Sequence, residues 1–146
     1  MSDLIRGIVA GFLATVVITL LMAMRMAAGI MPWFNPIEVM NLSVHTLLNV
    51  PPGQLAGWVI HFGVGSLIWG GIFGLLGPTL PGRSYAIRGL LFGTLAWFLV
   101  MVTLFPLAGS GLFGMGFGAI VPLTTLISHW IFGLVLGGAY GWLKRV

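Results

Sequence analysis

Four long apolar stretches, about Leu4 to Met31, Gln54 to Leu76, Tyr85 to Phe105 and Pro122 to Leu143, are what most narrows the folds open to this chain. The hydrocarbon core of a bilayer is ~30 Å thick, and a helix rising ~1.5 Å per residue crosses it with roughly 20 residues. Charged residues make up 5% of the chain, hydrophobic residues 59%, and mean hydropathy is +1.13. Such a composition cannot give a soluble domain a charged surface, so each stretch predicts a membrane-spanning helix. Pro32, Pro78, Pro106 and Pro122 stand at the boundaries, where proline ends or starts helices. One membrane domain covering residues 1–146 is expected.

Two of the stretches share a pattern. Arg6-Gly7-Ile8-Val9-Ala10-Gly11-Phe12-Leu13-Ala14 is echoed by Arg88-Gly89-Leu90-Leu91-Phe92-Gly93-Thr94-Leu95-Ala96. His61, Gly65 and Gly70-Gly71-Ile72-Phe73-Gly74 are echoed, one residue closer in the last part, by His129, Gly133 and Gly137-Gly138-Ala139-Tyr140-Gly141. The pattern predicts an all-α, four-transmembrane-helix bundle made from a duplicated two-helix hairpin, repeat one about 4–77 and repeat two about 85–143. The halves would be parallel repeats related by a pseudo-twofold axis along the membrane normal. Gly7, Gly11, Gly70, Gly74, Gly89, Gly93, Gly133, Gly137 and Gly141 form small-xxx-small faces on which helices can approach closely.

The net charge of +4 is too dispersed to form a nucleic-acid surface and reads as a topology signal. With four spans, Arg6, Arg83, Arg88, Lys144 and Arg145 fall on one side and Arg25 on the other, which predicts cytoplasmic N- and C-termini. The first stretch lacks a basic leader region and a small-residue cleavage site, so it is expected to be retained. There is no cysteine, which excludes disulfides, thiolate metal sites, iron–sulfur clusters and covalently attached haem.

The connections differ. Between spans one and two, Asn35 as N-cap, Pro36 at the first position and Glu38 at the third predict a short helix lying at the outer interface. Its apolar face would hold Ile37, Met40, Val44, Leu47 and Leu48, and its polar face Glu38, Asn41, His45 and Asn49. Between spans three and four, the uncharged, glycine-rich segment from Ala108 to Ala119 either lies at the interface or dips back into the bundle.

His61 and His129 are the strongest chemical candidates, each expected about two turns inside its helix, ~10 Å from the outer surface. Polar groups at such depth are functional candidates, and the two imidazoles would serve a bis-histidine haem b, metal or quinone site beside flat glycine faces. The structural reading is that each hydrogen-bonds a carbonyl or a hydroxyl such as Ser66, Thr124, Thr125 or Ser128 and glues the bundle. Arg25 and Glu38 are expected to form an ion pair tying the short helix to span one. A mixed metal site of Glu38, His45 and His61 has no supporting ligand spacing, so no metal site is expected. Enzyme chemistry is poorly provided for, because the two carboxylates are far apart in the chain and no nucleophile elbow is present.

Gly57 to His61 in a glycine-rich helix, Gly89-x-x-x-Gly93, Phe105-Pro106-Leu107-x-Gly109 and His129-Trp130 together resemble the YagU-like group of small polytopic inner-membrane proteins of unknown function. The resemblance covers about the last three spans and implies a bacterial inner-membrane protein with histidines in spans two and four, without a reaction, cofactor or substrate.

The leading expectation is a non-enzymatic membrane protein without cofactor, acting as an accessory subunit of a larger complex or as a homo-oligomer packed through its glycine faces in the lipid bilayer. The competing expectation is an electron-transfer protein binding haem b, a metal or a quinone through His61 and His129. A third, a transporter of small solutes or ions acting as an oligomer, would need a polar route through Thr15, Thr19, Thr94, Thr103, Ser128 and the histidines.

Overall fold

The structure is a computed structural model that describes residues 1–51 and 53–146. It is all-helical among those residues, with four helices long and apolar enough to cross a membrane: α1 (Asp3–Ala27), α3 (Leu55–Thr79), α4 (Tyr85–Leu107) and α5 (Ile120–Leu143). A shorter helix, α2 (Pro36–Leu48), lies between α1 and α3.

α1 begins with the Ser2 hydroxyl accepting from Ile5 N–H and ends four residues before the expected Met31. Gly29, at φ 66°, turns the chain left-handed, while Gly29 N–H and Ile30 N–H donate to the carbonyls of Met26 and Arg25. That pair of bonds is a Schellman stop, which satisfies carbonyls that a helix end in lipid would otherwise leave bare. α4 reaches Leu107 only by breaking at Thr103, because Pro106 has no N–H for the carbonyl of Val102 and its ring crowds that carbonyl. α3 is not uniform either. Gly63–Gly70 is π-helical between α-helical Gln54–Phe62 and Gly71–Leu76.

The spans pair as α1 with α3 and α4 with α5, and α1 also packs along α5. Glycine sets both pair distances. A Cβ on Gly7 would collide with the Gly70 carbonyl and lie 2.6 Å from Gly74 Cα, and one on Gly89 would collide with the Gly133 carbonyl and lie 2.9 Å from Gly137 N. Gly11 meets Gly65 and Gly70, Gly93 meets His129 and Gly133, and Gly141 lies against the Tyr85 ring. The glycine faces are therefore occupied by the chain's own helices.

Both termini and the connection between α3 and α4 share one end of the bundle. There Asp3 pairs with Arg6 at 3.0 Å and with Lys144 at 3.2 Å, and Arg6 donates to the Leu143 carbonyl. The Asp3 carboxylate, by accepting from Lys144, raises its ammonium above the ordinary lysine range. At this terminal end, edge-on contacts among Trp69, Phe73, Phe92, Tyr85 and Tyr140 fill the space between the pairs.

At the opposite end α3 and α4 diverge, and α2 bridges them, packing on α3 and on Leu104–Leu107. Its faces differ from the amphipathic expectation. Asn41 is buried and its side-chain oxygen accepts from Gly53 N–H, Ser43 is fully buried, and Leu47 and Leu48 are exposed. The reason is that α2 is gripped on two sides, so Ile37, Val39, Asn41 and Ser43 all face protein. Gly57 makes room for it, since a Cβ there would stand 2.7 Å from the Ile37 carbonyl. The segment from Ala108 to Ala119 folds over the ends of α4 and α5, with Gly114 buried against Phe105 and Phe113 against Trp97 and Phe98.

Replacing Gly89 with leucine is expected to lower stability by about 3 kcal/mol or more, because the clash is with backbone and cannot be relieved by a rotamer. Gly138→Ala, with open space at its Cβ, should leave it unchanged. Thermal unfolding of the two variants in detergent, followed by size-exclusion recovery, makes the comparison; equal melting would contradict the backbone contact.

Candidate functional site

Where α3 and α4 separate, a cavity of about 290 Å³ opens inside the bundle, lined by all four spans and roofed by Phe34 and α2. Thr15, Ile18, Met22 and Arg25 come from α1, His61, Gly65 and Trp69 from α3, Val100, Leu104 and Phe105 from α4, and Thr125, Ser128, His129 and Phe132 from α5. The wall is mainly apolar. The π-helical segment contributes Val64, Gly65 and Trp69 to it, on the same face of α3 as His61.

His61 is buried and its Nε2 lies 3.0 Å from Thr19 Oγ1. Thr19 Oγ1 also lies 2.8 Å from the Thr15 carbonyl; with its one proton on that carbonyl it accepts from Nε2–H of His61, the tautomer that leaves the lone pair on Nδ1. His129 Nδ1 lies 2.8 Å from the Thr125 carbonyl, which only accepts, so Nδ1–H donates and Nε2 keeps its lone pair. Neither free nitrogen has a hydrogen-bond partner among the described residues. Each imidazole is thus oriented by one nitrogen and open at the other, the arrangement that second-shell bonds impose on ligating histidines.

The two histidines do not occupy matching positions. In sequence His61 is the echo of His129, but the helix contacts shift the frame: Gly7 rests on Gly70 and Gly74 where Gly89 rests on Gly133 and Gly137. His129, whose carbonyl faces Gly93, therefore takes the place that Gly65 and Ser66 take against Gly11, and His61 lies about a turn farther toward α2. The glycine ladders beside the histidines also go to other uses, since Gly57 meets α2, Gly133 meets Gly89 and only Gly65 reaches the cavity wall.

Arg25 is not paired with Glu38. Among the described residues the ion pairs are the two at Asp3, and Glu38 is exposed. The Arg25 guanidinium instead donates to the carbonyls of Ile30 at 3.1 Å, Met31 at 2.8 Å and Phe34 at 2.6 Å and sits over the Phe34 ring. The Schellman stop turns these carbonyls back toward Arg25, and a planar five-donor fork suits several acceptors better than one carboxylate does. Arg25 thereby pins the cavity roof. His45 lies apart on the exposed side of α2, bonded to the Val50 carbonyl, and no group of three histidine or carboxylate side chains able to hold a metal exists among the described residues. The cavity itself, and the place of Trp69 in its wall, had no sequence signal beyond the histidine spacing.

The family model described as a family of unknown function, DUF6789, matches residues 1–146. The chain belongs to DUF6789. No curated protein and no solved structure matches it. The likeness of this DUF6789 member to the YagU-like group rests on its short motifs alone.

Arg25→Leu is expected to destabilise the protein by about 2 kcal/mol, since charge-assisted bonds to carbonyls are worth about 1.5–3 kcal/mol each and part of that returns through hydration of the freed carbonyls. Glu38→Gln should change nothing. Thermal melting of both variants tests this, and a larger loss in Glu38→Gln would restore the ion pair.

Proposed function

We propose that this DUF6789 member binds a small cofactor or ligand within the membrane, with His61 and His129 as the two groups that hold it. One observation carries the reading: imidazoles from two different helix pairs line the same cavity, each tied to the protein through one nitrogen and free at the other. A histidine serving only as interhelical glue has no need of an open lone pair beside a void, and His129 bonds within its own helix, so it joins no helices at all.

The remaining features fit around that reading. The aromatic cluster between the pairs closes the terminal half of the bundle, which favours holding a ligand over passing one through. Docking onto a larger complex or onto a second copy would have to use other surface than the glycines, because those are taken up within the chain. The parallel placement of Gly7 on Gly70 and Gly89 on Gly133 supports descent from a duplicated hairpin. The gathering of Arg6, Arg83, Arg88, Lys144 and Arg145 at the terminal end supports cytoplasmic termini.

The test is native mass spectrometry of the full chain from mild detergent, with a reduced-minus-oxidised absorption spectrum on the same sample. A mass above that of the bare chain, lost in His61→Ala and in His129→Ala and kept in His45→Ala, is the expected result, and a sharp visible band would identify the occupant as haem b. Bare chain throughout, with both variants as abundant and as stable as the wild type, would overturn the reading.

A further inference from the structure

The hydrogen-bonding inventory of the cavity wall is lopsided, and the imbalance selects the chemistry of what would enter. Thr15 donates its hydroxyl proton to the Gly11 carbonyl, Thr125 to Val121 and Ser128 to Thr124, each one turn back on its own helix. With those protons spent, the hydroxyls face a ligand as acceptors only, and the free nitrogens of His61 and His129 are acceptors as well. Three of the Arg25 donors are already bonded to carbonyls. A ligand held by the two imidazoles must bring its own protons.

Charge and size narrow the choice. The one formal charge on the wall is the Arg25 cation, and there is neither carboxylate nor thiolate to neutralise a metal ion, so a cation would enter a site that already repels it. At about 290 Å³ the cavity lies at the lower edge of the range of about 300–1,000 Å³ for small-molecule pockets, which suits a single-ring headgroup. Its walls are aromatic and aliphatic, with Trp69 and Phe132 among them, and it lies between spans rather than in a loop.

We propose that the cavity binds the hydroquinone headgroup of a membrane-soluble quinol, one hydroxyl donating to His61 Nδ1 and the other to His129 Nε2. The proposal rests on the ligand-binding reading above and names the ligand class for the same site. Two hydroxyls on opposite edges of a flat ring would serve two acceptors carried by different helices, with the ring between the apolar walls. The oxidised quinone, which has carbonyls in place of hydroxyls, offers these imidazoles nothing to accept. Selectivity for the reduced form follows directly. Thr19 is a positioning residue: by accepting from Nε2–H of His61 it keeps the lone pair on Nδ1.

The experiment uses the full chain in phosphatidylcholine nanodiscs under anaerobic conditions, with three probes measured by equilibrium dialysis: decylubiquinol, decylubiquinone and the dimethyl ether of decylubiquinol. The quinol should bind at least tenfold more tightly than either of the others, because a site built to hydrogen-bond a hydroxyl rejects analogues that lack it. His61→Ala and His129→Ala should each weaken quinol binding about tenfold, Thr19→Val severalfold, and His45→Ala not at all, with melting temperatures confirming that the variants are folded. Equal binding of the quinol and its dimethyl ether by the wild type would overturn the proposal without reference to any variant. Absence of quinol binding by a chain that still shows a histidine-dependent bound mass would reject the ligand class and leave the cavity reading standing. Absence of both would reject the two together.

Discussion

Backbone-to-backbone contact at glycine is the interaction on which the rest of this structure depends. Lipid offers no hydrophobic force to drive one apolar helix onto another, so association relies on how closely two helices can approach. Gly7 on Gly70 and Gly74, and Gly89 on Gly133 and Gly137, bring the axes of each pair together at the terminal end. The two pairs are not joined in this way: α3 and α4 stand apart, the cavity lies between them, and α2 with its Arg25-pinned roof covers it.

The polar groups of the chain are few, and many of them are spent on carbonyls. Arg6 and Arg88 donate to carbonyls at the terminal end, Arg25 to those of the α1 stop, and the Ser43 hydroxyl lies within 2.7 Å of both the Val39 and the Leu104 carbonyl, with one proton for the two. This follows from the setting, since a bare carbonyl away from water costs as much as a lost hydrogen bond and side-chain donors are scarce. Against that economy, one nitrogen of each imidazole has no partner beside the cavity, and the buried hydroxyls of Ser66 and Tyr140 have none either.

Much of the fold was legible in the residues, and the site only in part. The spans could be drawn to within a few residues because length and hydropathy dictate them, and α2 because Asn35, Pro36 and Glu38 make an N-terminal signal that acts locally. The Asn35 side chain does accept from Ile37 N–H. The Arg25–Glu38 pair was misread because opposite charges at similar depth say nothing of competing acceptors. Carbonyls freed by the Schellman turn lie nearer to Arg25 than the exposed carboxylate. The faces of α2 were misassigned because periodicity presumes one buried side, and this helix has two.

What the sequence by itself determined is an all-helical chain with four spans, the glycine contacts available to them, and the presence of two deep histidines. These depend on properties of single residues and short windows: transfer of apolar side chains from water, the absence of a Cβ, the capping chemistry of a turn. Only the tertiary structure decided that both histidines line one cavity at different levels, which of their nitrogens remain free, and that Arg25 holds the roof. The first turns on the register between helices far apart in the chain, which is a property of the packed bundle, and the others on which acceptors the folded chain leaves within reach of each group.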